Sequence, residues 1–137
     1  MPAQKSTLAN QSMTSKSIPK RGEVWLVDLN PTKGAEIGKC RTAVVLSCDG
    51  LGRLALHIVV PITSWRPGFA VHPWFERLVP TAKNGLKKES GADALQIRSI
   101  SRDRFVKKIG IIPKPQLEEI AFRVALCIGL NPQTGDS

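Results

Sequence analysis

Residues 21–49, RGEVWLVDLNPTKGAEIGKCRTAVVLSCD, show the pattern of two β-strands joined by a glycine-bearing loop. The first predicted strand covers residues 23–29 and the second covers residues 43–48. Apolar side chains occupy both alternating faces of the first strand, with Val24 and Leu26 on one face and Trp25, Val27 and Leu29 on the other. A strand with two apolar faces is typical of a small closed barrel or of a strand beneath a dimer contact.

The loop between these strands brings a cation to the edge of the predicted sheet. It contains Pro31, Gly34 and Gly38, and Arg41 stands where the chain re-enters the second strand. A guanidinium presents a planar fork of donors that matches the oxygens of a phosphate. Arg41 is therefore the first candidate for a phosphate-binding residue.

The rest of the chain predicts several further short strands and one helix. The predicted strands are 54–62, 69–75, 92–97 and 106–112, and we expect Pro61 to end or bulge the first of these because proline cannot donate to a ladder. Ser99 or Ser101 is expected to cap a short helical turn. The predicted helix has Pro115 in its first turn, an apolar stripe that extends to Ile128, and its stop at Gly129.

This succession predicts a protein that is mainly β with α. Many short strands followed by one amphipathic helix favour a small, strongly bent antiparallel sheet or barrel with a C-terminal helix. The predicted organisation is a disordered, basic, Ser/Thr-rich tail at 1–20, a single domain at 21–131 and a short tail at 132–137.

The net charge and composition of the chain indicate which class of molecule it binds. The chain has 137 residues, a formal net charge of +9 and a pI of about 10.0, which favours a polyanion, with nucleic acid ahead of an anionic membrane. No apolar run approaches the ~20 residues needed to cross a bilayer, so we expect no membrane association. Three cysteines without a C-x-x-C pair fit the reducing cytoplasm, and we expect Cys48 and Cys127 in the core.

Several ordered blocks of the sequence resemble the MazF/PemK family of toxin endoribonucleases. They are RGEVWLVDLNP, KGAEIGKCR, AVVLS, NGLKKES and QIRSISRDRFVKKIG, which together cover most of residues 21–130. The resemblance implies an SH3-like barrel with a C-terminal helix, the MazF/PemK/CcdB-like toxin fold, usually paired as a homodimer. It also implies an mRNA interferase that is neutralised by an acidic, partly disordered antitoxin protein.

The resemblance implies two catalytic residues. Arg41 matches the family's catalytic arginine, and Thr63, in VVPITSW, matches its second active-site residue. Ser64 takes the second role if the register shifts by one residue, and Glu36 is the nearest candidate base. The chain departs from the family pattern at Thr42, where the family has proline, and at Leu95, where it has an acid.

Other residues around these positions are candidates for binding single-stranded RNA. Trp65 and Trp74 flank the Thr63 segment and offer faces on which bases could stack. Gln96 and Arg98 lie in a block similar to the family's D-Q-I-R-T. The cations expected to follow the RNA backbone are Lys33, Lys39, Arg66, Lys83, Lys87 and Lys88.

The sequence also offers an alternative chemistry, that of a histidine-based nuclease. His57 and His72 are the two histidines that a histidine-based nuclease would need, but His57 lies mid-strand and is expected to pack in the core. No cluster with metal-ligand spacing is present in the sequence, and we expect neither a metal nor another cofactor.

The main hypothesis is a sequence-specific, metal-independent endoribonuclease that is the toxin of a type II toxin–antitoxin system. RNA can be cut by its own 2′-hydroxyl, with Arg41 and Thr63 stabilising the phosphorane. The alternatives are an RNA-binding barrel with lapsed catalysis, which Thr42 and Leu95 favour, and a gyrase-poison type of toxin that acts on a protein target.

Overall fold

The computed structural model describes residues 18–130, apart from the side chains of residues 52 and 53, so the predicted tails lie outside the described residues except for residues 18–20. Pro19 is buried, and the Lys20 backbone N–H donates to the Glu23 carboxylate at 2.9 Å. The elements are β1 (Glu23–Asp28), β2 (Cys40–Val45), β3 (Leu56–Ser64), β4 (Phe75–Leu78), β5 (Ser90–Asp93), β6 (Arg98–Ser101), β7 (Phe105–Ile111) and α1 (Lys114–Cys127). Short 3-10 turns cover Asp49–Leu54, Pro67–Val71, Ala94–Gln96 and Arg102–Arg104.

All the strand pairs are antiparallel, and the strands follow the order β4-β5-β3-β2-β1-β7, with β6 added beside β3. This confirms a mainly β fold with one C-terminal helix. The described sheet does not close into a barrel, because its end strands β4 and β7 are not paired with each other. Strand β3 is central, because β6 pairs with its first half and β5 with its last three residues.

The two apolar faces predicted for β1 are confirmed, and each face contributes to its own core. Val24 packs beneath α1 in one cluster, together with Val44, Val60, Ile62, Leu78, Ile112, Leu117 and Ile120. Trp25, Val27 and Leu29 pack on the other face with Ala43, Val45, Val59, Ile100 and Phe105. Because side chains alternate along a strand, a slip of one residue in β1 would exchange the two sets, so the cores fix the register.

The prediction that β3 ends or bulges at Pro61 is wrong. The strand continues to Ser64, and Pro61 is buried opposite Ala43 of β2. On the other side of β3 the partner changes from β6, paired up to Val59, to β5, paired from Ile62. Pro61 lies between these two partner strands. Because neither strand needs a hydrogen bond from its backbone nitrogen, a proline is tolerated there.

Several strand boundaries also differ from the prediction. Residues 67–71 form a 3-10 turn where a strand was expected, and the strand itself follows as β4. The expected strand at 92–97 is interrupted because the Asp93 carboxylate accepts from the Leu95 N–H at 3.2 Å and caps a turn. Ser101 caps the next turn, as one of the two predicted alternatives, by accepting from the Asp103 N–H.

The predicted helix is confirmed, with Pro115 in its first turn and Leu117 and Ile120 buried. The apolar stripe packs as far as Val124, whereas Ile128 lies past the helix end and is exposed. Gly129 adopts a φ of 84°, which favours glycine and ends the helix. The expectation for the cysteines is wrong at Cys48, which is exposed, and Cys127 is only half-buried. No helix within residues 18–130 combines the length and apolarity needed to cross a membrane.

Candidate active site

A cavity of about 510 Å³ opens where β2 begins and β3 ends, and we call it the Arg41 cleft. It brings together both predicted catalytic residues, Arg41 and Thr63, with the alternative Ser64. Among the described residues its lining includes basic side chains and no carboxylate. The lining residues are Leu26, Cys40, Arg41, Thr42, Ile62, Thr63, Ser64, Gly85, Leu86, Lys87, Lys88, Ser90, Lys107 and Ile109.

The strand register explains why Arg41 and Thr63 meet. Ala43 of β2 lies opposite Pro61 of β3 in the antiparallel ladder. Continued two residues beyond these last paired residues, the same register brings Arg41 level with Thr63. Two strands that run in opposite directions thus deliver the two side chains to one end of the sheet.

The Arg41 guanidinium is oriented by a hydrogen bond from its Nε, while its terminal nitrogens stay available to a ligand. Its Nε donates to the Gly38 carbonyl at 3.2 Å, and its side chain is half-buried. Its terminal nitrogens have no partner among residues 18–130, and Glu36 forms no ion pair with it. The group is therefore oriented by the protein and still offers donors to a phosphate in the cleft.

Thr63 and its neighbours complete this wall of the cleft. Thr63 is paired with Gly91 and Ser64 with Ser90 of β5, and both side chains are half-buried. Thr42, which replaces the family's proline, stays within β2 opposite Leu26 and lines the same cleft. The departure at this position therefore leaves the local strand intact.

Loop 79–89 forms the opposite wall and depends on a buried asparagine. The Asn84 side chain is 1% exposed, and its oxygen accepts from the N–H groups of Thr81 and Leu86 at 3.0 Å. Its amide nitrogen donates to the Val79 carbonyl at 2.9 Å. Every polar atom of the side chain is thus used to fold the loop that carries Lys87 and Lys88 into the cleft.

The same loop lies directly against β7. A Cβ placed on Gly85 would come within 2.4 Å of the Ile109 carbonyl, and one on Gly110 would come equally close to the Lys83 carbonyl. Only glycine at both positions permits this approach. Neither this packing nor the contribution of Lys107 from β7 to the cleft follows from a local sequence pattern.

A second cavity, of about 520 Å³, contains three further polar candidates, Glu36, Gln96 and Arg98, and we call it the Gln96 pocket. It is lined by Ala35, Glu36, Leu95, Gln96, Ile97 and Arg98. Its two ionisable side chains have opposite charges, and Leu95 exposes 56% of its surface. Glu36 therefore lies in this pocket, away from the lining of the Arg41 cleft.

Gln96 ties the β1–β2 loop to the turn between β5 and β6. Its side-chain oxygen accepts from the Ile37 N–H at 2.7 Å, and its nitrogen donates to the Ala35 carbonyl at 3.1 Å. Burial raises the pKa of Asp93, and the hydrogen bonds from Leu95 and Gln96 offset part of that rise. Asp93 thus anchors this network although Leu95 replaces the family's acid, a role that the sequence analysis did not foresee.

Two arginines brace the same loop by its carbonyl groups. Arg98 donates to the Leu29 carbonyl at 3.1 Å, and Arg104 donates to the carbonyls of Asp28 and Asn30. Glu36 closes a turn within the loop by accepting from the Lys33 N–H at 2.7 Å. The loop is therefore held at several points along its length.

The other predicted RNA-binding residues line neither cavity. Lys33, Lys39, Arg66 and Lys83 are exposed on loops around them. Trp65 is half-buried in an aromatic cluster, where it meets Phe69 edge-on at 5.5 Å and Arg77 lies 5.2 Å from its ring centre. Trp74 stacks on His72 with ring centres 4.5 Å apart.

The histidines do not form a catalytic pair in either cavity. His57 is 4% exposed, its Nε2 accepts from Arg102 at 3.1 Å, and it packs edge-on against Phe105. Burial first, and then the charge of Arg102, lowers the pKa of His57. The prediction that His57 is a satisfied core residue is confirmed. Within residues 18–130 no group of His, Cys, Asp and Glu side chains has a metal-binding arrangement.

Comparison with known proteins identifies what this architecture is similar to. The family model described as "PemK-like, MazF-like toxin of type II toxin-antitoxin system" matches residues 20–128. Endoribonuclease MazF9 of Mycobacterium tuberculosis is 37% identical over 118 residues, covering 81% of this chain and 97% of that protein.

Solved structures agree with this match. The crystal structure of MazF from Deinococcus radiodurans superposes with a TM-score of 0.71 at 25% identity, covering 83% of this chain and 99% of that chain. A crystal structure of a MazE–MazF complex from the same organism gives a TM-score of 0.61 at 25% identity, with 83% and 98% covered.

Proposed function

Because the chain belongs to the family of PemK-like, MazF-like toxins of type II toxin–antitoxin systems, we propose that it is a sequence-specific endoribonuclease acting on single-stranded mRNA. The observation that carries this proposal is the meeting of Arg41 and Thr63 in a cleft lined by cations and by no carboxylate among the described residues. Fixed donors around a phosphate are what stabilisation of a phosphorane requires.

In the proposed reaction the 2′-hydroxyl of the RNA attacks the adjacent phosphorus. The 2′ proton leaves to a base, the P–O5′ bond breaks, and the leaving 5′-oxygen takes up a proton. The products are a 2′,3′-cyclic phosphate and a 5′-hydroxyl. No metal is needed for this displacement, and Arg41 with Thr63 stabilises the charge on the non-bridging oxygens.

A water in the cleft, rather than Arg41, accepts the 2′ proton, because a guanidinium stays protonated near neutral pH. Ser64 supports the reacting phosphate beside Thr63. Glu36 lines the other cavity, and it is better placed for substrate recognition than for proton abstraction at the Arg41 cleft. Lys87 and Lys88 hold the RNA backbone, and Lys33, Lys39 and Arg66 extend the basic surface around it.

The Gln96 pocket is the proposed base-reading site. Its opposite charges give phosphate little advantage over a neutral base. The carboxylate of Glu36 can accept from a base amine, and Arg98 can donate to a base carbonyl. Gln96 serves this site by holding the loop, since its amide is already bonded to Ala35 and Ile37. Trp65 follows Ser64 of the Arg41 cleft, and the aromatic cluster around it offers a surface on which a base can stack.

The proposed partner is an acidic antitoxin protein, and the solved MazE–MazF complex from Deinococcus radiodurans supports a protein partner for this fold. A net charge of +9 favours an acidic chain, which would compete with RNA for the same cations. The proposed assembly is a homodimer. We expect the protein to act on mRNA in the cytoplasm. The single toxin domain is proposed to cover residues 21–131.

The test is cleavage of a long single-stranded RNA by the purified chain in EDTA, beside Arg41→Ala, with the 5′ ends of the fragments mapped. We expect discrete cuts at one short word, with 5′-hydroxyl ends, and loss of cutting in the variant. Cutting that requires a divalent cation, or that survives in Arg41→Ala, would overturn the proposed mechanism.

Two other outcomes point to the alternative functions. RNA bound by the wild-type chain but not cut would favour an RNA-binding barrel with lapsed catalysis. Absence of both binding and cutting would favour a toxin that acts on a protein target.

A further inference from the structure

Lys107 belongs to a row of residues that crosses the sheet into the Arg41 cleft. It lies opposite Leu26 of β1, and Leu26 lies opposite Thr42 of β2. All three residues line the cleft. Two strand spacings, roughly 10 Å in total, separate the backbone of Lys107 from that of Thr42, the residue next to Arg41.

The next residue of β7 provides a contrast. Lys108 lies opposite Trp25, and its ammonium forms an ion pair with the Glu23 carboxylate at 3.1 Å. Lys107 lies one step along the strand and is exposed, and its side-chain ammonium has no ion-pair or hydrogen-bond partner among the described side chains. The two lysines therefore differ in face and in pairing although they are chemically identical.

The surroundings of Lys107 favour an anion. The loop held by Asn84 packs on β7 and brings Lys87 and Lys88 to the same cleft. Like charges gathered in one cavity repel each other, and a phosphate relieves that repulsion while releasing its own counterions. The gathering of three lysines without a carboxylate on this wall is the arrangement expected of a site for the RNA backbone.

We propose that Lys107 binds a phosphate of the substrate that flanks the scissile one, and so anchors the RNA across the cleft from Arg41. This inference rests on the proposed ribonuclease function. A flanking contact acts on binding, whereas a contact to the scissile phosphate would act on the chemical step. The two positions are therefore distinguishable by kinetics.

The experiment uses a mixed-sequence, single-stranded RNA that is 2′-O-methylated throughout and so cannot be cut. Its affinity for the wild-type chain, Lys107→Ala, Lys107→Arg and Lys108→Ala is measured by fluorescence anisotropy over a series of salt concentrations. Cleavage of unmodified RNA gives kcat and KM for the same proteins, and thermal unfolding confirms that each variant is folded.

We expect Lys107→Ala to lower affinity by about three- to tenfold near 0.1 M salt and to reduce the slope of log K against log salt by about 0.7, the value for one contact to a single strand. KM should rise while kcat stays within about twofold. Lys107→Arg should restore the slope. Lys108→Ala removes the same charge one residue away and should leave the slope unchanged.

Equal slopes for Lys107→Ala and wild type, or equal losses in Lys107→Ala and Lys108→Ala, would overturn the proposed contact. A fall in kcat at constant KM would overturn its flanking position. A wild-type chain that neither binds nor cuts RNA would instead count against the ribonuclease function itself, so the two failures are separable.

Discussion

The Arg41 cleft and the Gln96 pocket are nearly equal in volume, about 510 and 520 Å³, yet they differ in charge. The cleft is lined by cations without a carboxylate among its described residues, whereas the pocket pairs Glu36 with Arg98. A surface of one sign suits a phosphate, which every nucleotide carries, and a mixed surface suits the donors and acceptors that distinguish bases. The proposed function therefore assigns the reaction to the Arg41 cleft and base recognition to the Gln96 pocket.

The largest expected effect is that of Arg41→Lys, because it keeps the charge of the cleft but removes the planar fork. We expect kcat to fall by about 10²-fold, in the range of a lost fixed donor. Arg98→Lys is the matched control and should change kcat by less than about tenfold. Multiple-turnover cleavage of RNA at saturating substrate measures kcat for both variants. Near-normal cutting by Arg41→Lys would show that charge alone suffices.

Glu36→Gln should change recognition rather than rate. The replacement keeps an oxygen that can accept from the Lys33 N–H but removes the negative charge of the Gln96 pocket. We expect the preferred cleavage word to change, with discrimination between bases at one position altered by about 1–3 kcal/mol. Mapped fragment ends report this directly. An unchanged word with a large fall in kcat would return Glu36 to the role of catalytic base.

Asn84→Ala should weaken the Arg41 cleft through its lysines. The variant loses three side-chain hydrogen bonds of a buried residue, and we expect RNA affinity to fall by about three- to tenfold. In a Lys87→Ala/Lys88→Ala background the same change should cost less than about twofold. This double-mutant cycle separates positioning from general damage, because equal losses in both backgrounds would indicate only lower stability.

The smallest effect is expected at His57, which lines neither cavity. Because its folded-state pKa is lowered, the unfolded chain binds a proton first as the pH falls below about 6.5. The free energy of unfolding should therefore decrease between pH 7 and that lower folded-state pKa, by at most about 1.4 kcal/mol per pH unit. His57→Gln keeps an acceptor for Arg102 and should flatten this dependence in thermal unfolding. RNA affinity should not change.

Periodic patterns of apolar residues predicted the elements whose burial follows that periodicity. Alternation in β1 predicted both cores, and spacing in α1 predicted its buried side. The interruption at Ala94–Gln96 depends on one cap by Asp93, and the continuation of β3 through Pro61 depends on a change of partner strand. A periodic sequence pattern reports neither a side-chain cap nor a change of partner strand. The predicted strand boundaries at these two places were therefore wrong.

The residues of the candidate site also differ in how far the sequence predicted them. Arg41 and Thr63 followed from the family resemblance, and the register of β2 and β3 accounts for their meeting. Lys107 could not be chosen over Lys108, because the β1–β7 pairing shifts register between Val24 and Trp25 and again between Leu26 and Val27. The two shifts decide which lysine faces the cleft, and no sequence pattern fixes them.

The bracing of the β1–β2 loop has a consequence for redesign. Residues 28–37 are held by Gln96, Arg98 and Arg104, whose hydrogen-bond partners in the loop lie 59 to 76 residues earlier in the chain. Grafting this loop alone into a relative that lacks these three side chains would leave its carbonyl groups without their donors. The smallest transplantable unit is therefore discontinuous, and a change of RNA target needs both segments exchanged together.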